Sequence, residues 1–142
     1  MKFTAPLHAF TYWEKNSPDQ LMFHQPFVQG SVKTTYREAG IEIRKIAQAL
    51  IAMDYAPKSK IALLSKNCSH WIMADLAIQM AGHISVPIYP TINANSIAEI
   101  MSHSESKAVI VGKLDNYEAQ KSGLEGFTKI GIKAYQVEEK LN

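Results

Sequence analysis

The most regular hydrophobic pattern in the chain follows Thr35-Tyr36-Arg37-Glu38. Ala39, Ile43, Ile46, Ala47, Leu50 and Ile51 recur at helical spacing, while Arg37, Glu42, Arg44, Lys45 and Gln48 fall mostly on the other side. Thr35 and Glu38 have the spacing of a capping box. The threonine hydroxyl can accept from a first-turn N–H, and the glutamate can reach back. This predicts an amphipathic helix that Ala56-Pro57-Lys58-Ser59 ends. Before it, Leu7, Phe10 and Trp13 predict a short helix over Thr4 to Lys15, stopped by Ser17-Pro18-Asp19. Leu21 to Gln25 and Gly30 to Thr34 read as two short strands around Pro26.

Beyond residue 59 the pattern alternates. Lys60 to Ser65 is a short apolar run, predicted as a buried strand. Ser69 to Ala81 is nearly all apolar, which predicts a helix buried on most sides, and Gly82 suits its end. Ile84 to Tyr89 predicts the next strand. Ser96-Ile97-Ala98-Glu99 reads as a second capping box opening a helix to about Ser104. Lys107 to Val111 predicts a third strand, Asp115 to Lys121 a helix, and Ile132 to Val137 a fourth strand. Strand, helix, strand at this spacing means βαβ units. The expected fold class is α/β, a mainly parallel sheet with flanking helices. The expected core is Ile61, Leu63, Trp71, Leu76, Ile78, Met80, Val86, Ile88 and Val109.

Composition narrows the classes. Fifteen basic against 13 acidic residues give a formal charge of +2, too even a balance to suggest a nucleic-acid partner. Lys58, Lys60 and Lys66 form the densest basic stretch, without aromatic interleaving, and read as a solvated loop. Cys68 is the single cysteine, so the fold cannot depend on an internal disulfide. No run approaches the ~18 apolar residues of a spanning helix, and the first ten residues do not form a secretory signal. A cytoplasmic setting is the expectation.

Candidate chemistry is sparse. His8, His24, His70, His83 and His103 are scattered, with no H-E-x-x-H and no metal-ligand spacing. Gly112-Lys113 follows a strand, but Lys107 stands where a phosphate-binding loop needs glycine and Leu114 where it needs Ser or Thr. No G-x-G-x-x-G occurs. Leu64 is followed by Ser65, Lys66 and Asn67 rather than by the acidic residues of a phospho-receiver. Cys68, beside Lys66 and near a helix start, has surroundings that favour a thiolate, but no partner pattern supports it as a nucleophile. Asp75 and Gln79 share one face of an otherwise apolar helix, as a solvated strip or a contact with another domain.

The stretch Asn67 to Val111 carries a resemblance. Asn67, Trp71, Leu76, Ala77, Ala81, Gly82, Pro87, Ser104 and Lys107 stand where the acyl-adenylate-forming (AMP-binding) enzymes have an Asn after a strand, an aromatic helix, a "vP" strand and a following helix and strand. Ile88-Tyr89-Pro90-Thr91 resembles the long-chain fatty acid–CoA ligase branch, and Thr35-Tyr36-Arg37-Glu38 the family's "TY.E" helix opening. His70 and Lys58-Ser59 depart from the family's usual Glu and Gly-Asp.

The resemblance implies that residues 1–142 are the N-terminal portion of an AMP-binding synthetase/ligase domain with the acyl-CoA synthetase-like fold. The parent would use ATP, magnesium and coenzyme A to convert a fatty acid to acyl-CoA, AMP and pyrophosphate. No stretch resembles the family's T-S-G-T-T-G-x-P-K-G loop, and the other catalytic motifs lie downstream. No catalytic, cofactor-binding or metal-binding residue is therefore assigned, and the chain alone is expected to be inactive. Its expected partners are the remaining domains of the parent, with the fatty acid as the parent's substrate and self-association through exposed apolar surface. Two readings stay open: a piece of such an enzyme, or a stand-alone non-catalytic α/β module that binds a partner.

Overall fold

The computed structural model describes residues 2–133. Its first helix, α1 (Pro6–Asn16), starts on a proline, whose fixed φ and missing N–H suit a first helical turn. β1 (Leu21–Pro26) and β2 (Ser31–Thr35) pair antiparallel as a hairpin. α2 (Tyr36–Ala52) follows at once, and the predicted capping box is present. Thr35 accepts from the Glu38 backbone N–H, and Glu38 Oε2 accepts from the Thr35 backbone N–H at 2.8 Å.

The remaining elements build the parallel sheet. β3 (Lys60–Leu64), α3 (Ser69–Met80), β4 (Ile84–Ile88), α4 (Ala94–Ser104), β5 (Ala108–Val111), α5 (Tyr117–Gln120), a 3-10 helix (Lys121–Leu124) and β6 (Thr128–Gly131) follow in order. The four strands lie in the order β4-β3-β5-β6, all parallel. Successive residues of β3 point to opposite faces, and both faces are covered. Ile61 and Leu63 pack with Leu50, Ala74 and Ile78 of α2 and α3. Ala62 and Leu64 pack with Ile97 and Met101 of α4 and with Tyr117 and Leu124 beyond β5. A third cluster, with Phe10, Ile43, Met73 and Leu76, joins α1 to the outer side of α2 and α3. Helices on both faces of a parallel sheet explain why β3 and β5 read as unbroken apolar runs.

β4 lies at one edge of the sheet. The Ile84 N–H donates to Ser59 O at 2.9 Å, on the β3 side. In a parallel ladder the same phase recurs every second residue, so Val86 and Ile88 also face β3, while Ser85 and Pro87 face outward. Pro87 thus breaks no ladder bond and removes one donor from the open edge.

Several expectations need correction. Ser96 does not cap its helix. Asn93 does, its side-chain oxygen accepting from the Ser96 N–H at 2.9 Å, and the helix starts at Ala94. The last strand is Thr128–Gly131, not 132–137; Ile132 and Lys133 are not in it, and 134–137 lie outside the described residues. The helix expected over 115–121 is only Tyr117–Gln120. Ile61, Leu63, Leu76, Ile78, Ile88 and Val109 are buried as expected. Trp71, Met80 and Val86 are only partly buried: Val86 lies on the edge strand, and Trp71 lines a groove. Among the described residues no helix is long and apolar enough to cross a membrane.

Candidate functional site

The chain leaves β3 through α3 on one face of the sheet, and leaves β4 through α4 on the other. The direction of winding therefore reverses at β3, between β4 and β5. In open α/β sheets ligands gather at the carboxyl ends of the strands beside such a reversal. In this sheet the crevice between β3 and β5 is stitched closed. The Gly112 N–H donates to Leu64 O at 3.0 Å and the Lys66 N–H to Lys113 O at 2.7 Å. The buried Ser65 hydroxyl accepts from the Lys113 N–H at 2.9 Å and donates to Lys66 O at 2.8 Å. Above them Lys66 Nζ pairs with Asp115 at 3.0 Å. A phosphate cradle needs free backbone N–H groups, and those of Lys66, Gly112 and Lys113 are already engaged. Among the described residues no three His, Cys, Asp or Glu side chains are grouped to hold a metal ion. The β3–β5 crevice therefore does not fit a nucleoside triphosphate or its magnesium.

The open space lies one strand over. A groove of about 520 Å³ opens at the carboxyl ends of β3 and β4, lined by Ser65, Lys66 and Asn67 after β3, by Trp71 of α3 and by residues 87–90. A second groove of about 510 Å³ lies across Asn67 and Trp71, between α3 and the β1–β2 hairpin, with Phe23, Gln25 and Ile72 in its wall. Asn67 and Trp71 line both, so the two form one largely apolar surface with a polar end. A smaller cleft of about 310 Å³ lies on the other side of Pro90, between the turn 90–93 and residues 115–120.

The residues singled out in the sequence are dispersed. Cys68 precedes α3 as its N-cap, and its Sγ lies 3.9 Å from Ser65 Oγ. Its side chain does not cap the helix; Gln25 does so from the hairpin, accepting from the Ser69 N–H at 2.9 Å. His24 shares the second groove with Cys68 but is bonded to Ser31 Oγ at 2.9 Å. His8 contacts Thr4, His83 is buried edge-on to Tyr55, and His103 is in the last turn of α4. Burial lowers the pKa of His70, with the charge of Glu42 opposing it. Asp75 and Gln79 bond to each other at 2.9 Å. Sequence reasoning missed Gln25 and Gln120, and took Ser65 only as evidence against a phospho-receiver.

The family model for AMP-binding enzymes matches residues 10–140. The chain belongs to the AMP-binding enzyme family. Among its relatives are the long-chain-fatty-acid–CoA ligase FadD15 of Mycobacterium bovis, 26% identical over 80% of this chain and 19% of that protein, and a linear gramicidin synthase polypeptide of Brevibacillus parabrevis, 29% identical over 74% of this chain and 2% of that protein. The inhibitor-bound N-terminal domain of FACL13 from Mycobacterium tuberculosis superposes with a TM-score of 0.76, at 22% identity, over 93% of this chain and 34% of that domain. That likeness shows the fold. The chain thus spans less than a fifth of either of these curated relatives, and its family includes enzymes named for quite different products.

Proposed function

We propose that this AMP-binding family chain is the N-terminal part of a long-chain fatty acid–CoA ligase, inactive alone. The parent converts ATP, a fatty acid and coenzyme A to acyl-CoA, AMP and pyrophosphate. The observation that carries the reading is the family match across nearly the whole chain. The long-chain branch is supported by Ile88-Tyr89-Pro90-Thr91 and by the relative named for that activity. The apolar groove along Trp71, Pro87 and Tyr89 is the chain's contribution, one wall of a substrate cleft that the rest of the parent completes.

Inactivity of the chain alone follows from the engaged amides between β3 and β5 and from the missing Ser/Thr/Gly-rich loop. Positioning and preorganised charge stabilisation supply most of the rate in such transfers, and the β3–β5 junction of the described residues offers no free amides for either. ATP–pyrophosphate exchange with palmitate, run on the 142-residue chain and on the full reading frame, tests both halves. The chain should be silent and the full frame active. Exchange by the chain would overturn the first half. A full-length protein silent across acids of several lengths would favour a non-catalytic binding module instead.

A further inference from the structure

The turn between β4 and α4 separates two clefts. Pro90 lines both the groove beside Trp71 and the smaller cleft beside residues 115–120. Its own backbone bonding is thin: the Ile92 N–H reaches Tyr89 O only at 3.5 Å. The segment is held from outside. Gln120, buried at 5% exposure, donates through Nε2 to Pro90 O at 2.8 Å and to Ile92 O at 2.9 Å. Both amide hydrogens are engaged, which fixes the orientation of the group, because the flipped amide would set Oε1 against two carbonyl oxygens. That Oε1 is buried with no partner among the described residues. A buried acceptor left unpaired opposes folding, so a hydrocarbon of similar size would suit this position better were the turn not in need of holding.

A second contact brackets the same segment. A β-carbon on Gly123 would stand 2.3 Å from Ala94 O, so the backbone of the 3-10 helix bears directly on the first residue of α4. Residues 120–123 therefore clamp 90–94 at both ends.

We infer that Gln120 is a positioning residue that holds the Tyr89–Ile92 turn in one shape, as the shared wall of the two clefts at the carboxyl end of β4. As to what the clefts accept, this rests on the ligase reading above. A preformed wall spares a bound substrate the ordering of the turn, so its loss should appear as weaker binding rather than slower chemistry.

The test uses Gln120→Met, which keeps the volume and removes both donors, and Gln120→Glu, which puts acceptors opposite the two carbonyls. Hydrogen exchange is measured on the chain. The Ser96 and Ile97 amides, which Asn93 at the end of the turn holds, should exchange about ten-fold faster, with the α3 amides unchanged. In the full reading frame, KM for one of ATP, fatty acid and coenzyme A, each titrated separately, should rise about five-fold with kcat little altered. Unchanged exchange at Ser96 and Ile97 in both variants overturns the inference, as does acceleration spread evenly over the chain, which marks a merely structural residue. Faster exchange with all three KM values unmoved in an active enzyme overturns the link to the clefts. If the unsubstituted full-length protein is silent, the ligase reading fails, while the exchange result still decides what Gln120 does.

Discussion

A β-carbon at Gly112 would stand 2.5 Å from Ser65 Oγ and 2.7 Å from Ser65 Cβ. The carboxyl ends of β3 and β5 can close on each other only because residue 112 has no side chain. Gly112→Ala should therefore cost about 1–3 kcal/mol through overpacking. Ser65→Ala in the same chain should not restore stability, because its Cβ still obstructs and the Lys113 N–H loses its acceptor. Urea melts of the two single variants and the double variant check this. A neutral Gly112→Ala would show that the junction yields.

Lys58 has φ +62°, a left-handed conformation that costs a residue with a β-carbon about 1–2 kcal/mol. Its N–H is held by Gly82 O at 2.9 Å, so the turn into β3 imposes the strain. The Gly-Asp common in the family at 58–59 has a physical reason: glycine takes this conformation freely. Lys58→Gly should raise the urea midpoint by the equivalent of about 0.5 kcal/mol, the relief being partly offset by glycine's greater freedom when unfolded. A lowered midpoint would mean that the lysine side chain supplies a contact worth more than the strain.

Asn93 and Ser96 separate the observed cap from the expected one. Asn93→Ala should cost about 1 kcal/mol, while Ser96→Ala should stay within about 0.5 kcal/mol. A thermal melt of each variant suffices. The reverse order would restore the Ser96 box.

These residues also show what was legible in the sequence. Local signals read well where one element supplies both partners, as Thr35 and Glu38 do, and where burial on both faces makes an unbroken apolar run, as in β3 and β5. The Ser96-x-x-Glu99 pattern misled because a second competent cap stood three residues earlier. β6 was missed because its residues, Thr128-Lys129-Ile130-Gly131, are polar or only partly buried. The site was less legible still. Gln25 meets Ser69 across 44 residues, Ser65 meets Lys113 across 48, and Gln120 meets Pro90 across 30. No periodicity encodes such pairings. The expected core held Trp71, and the resemblance matched Pro87 only as a family position; it is the fold that sets both in the wall of one groove.

His70 gives the chain a pH dependence of definite sign. Its folded pKa lies below the usual ~6.5 of an unfolded histidine because burial disfavours the charged ring, against the pull of Glu42. A proton then binds the unfolded chain more readily than the folded one. The stability is complete above about pH 6.5 and falls as the pH drops below it, through the folded value. The raised values of Arg44 and Tyr117 belong to the alkaline range and do not enter this window. Urea midpoints at pH 7.5 and 5.5 should thus differ less in His70→Gln than in the parent chain. Glu42→Gln should widen the difference, because it removes the charge that favours the protonated ring. If His70→Gln leaves the difference unchanged, the acid sensitivity lies elsewhere. If Glu42→Gln narrows it, the carboxylate does not favour the protonated form of His70.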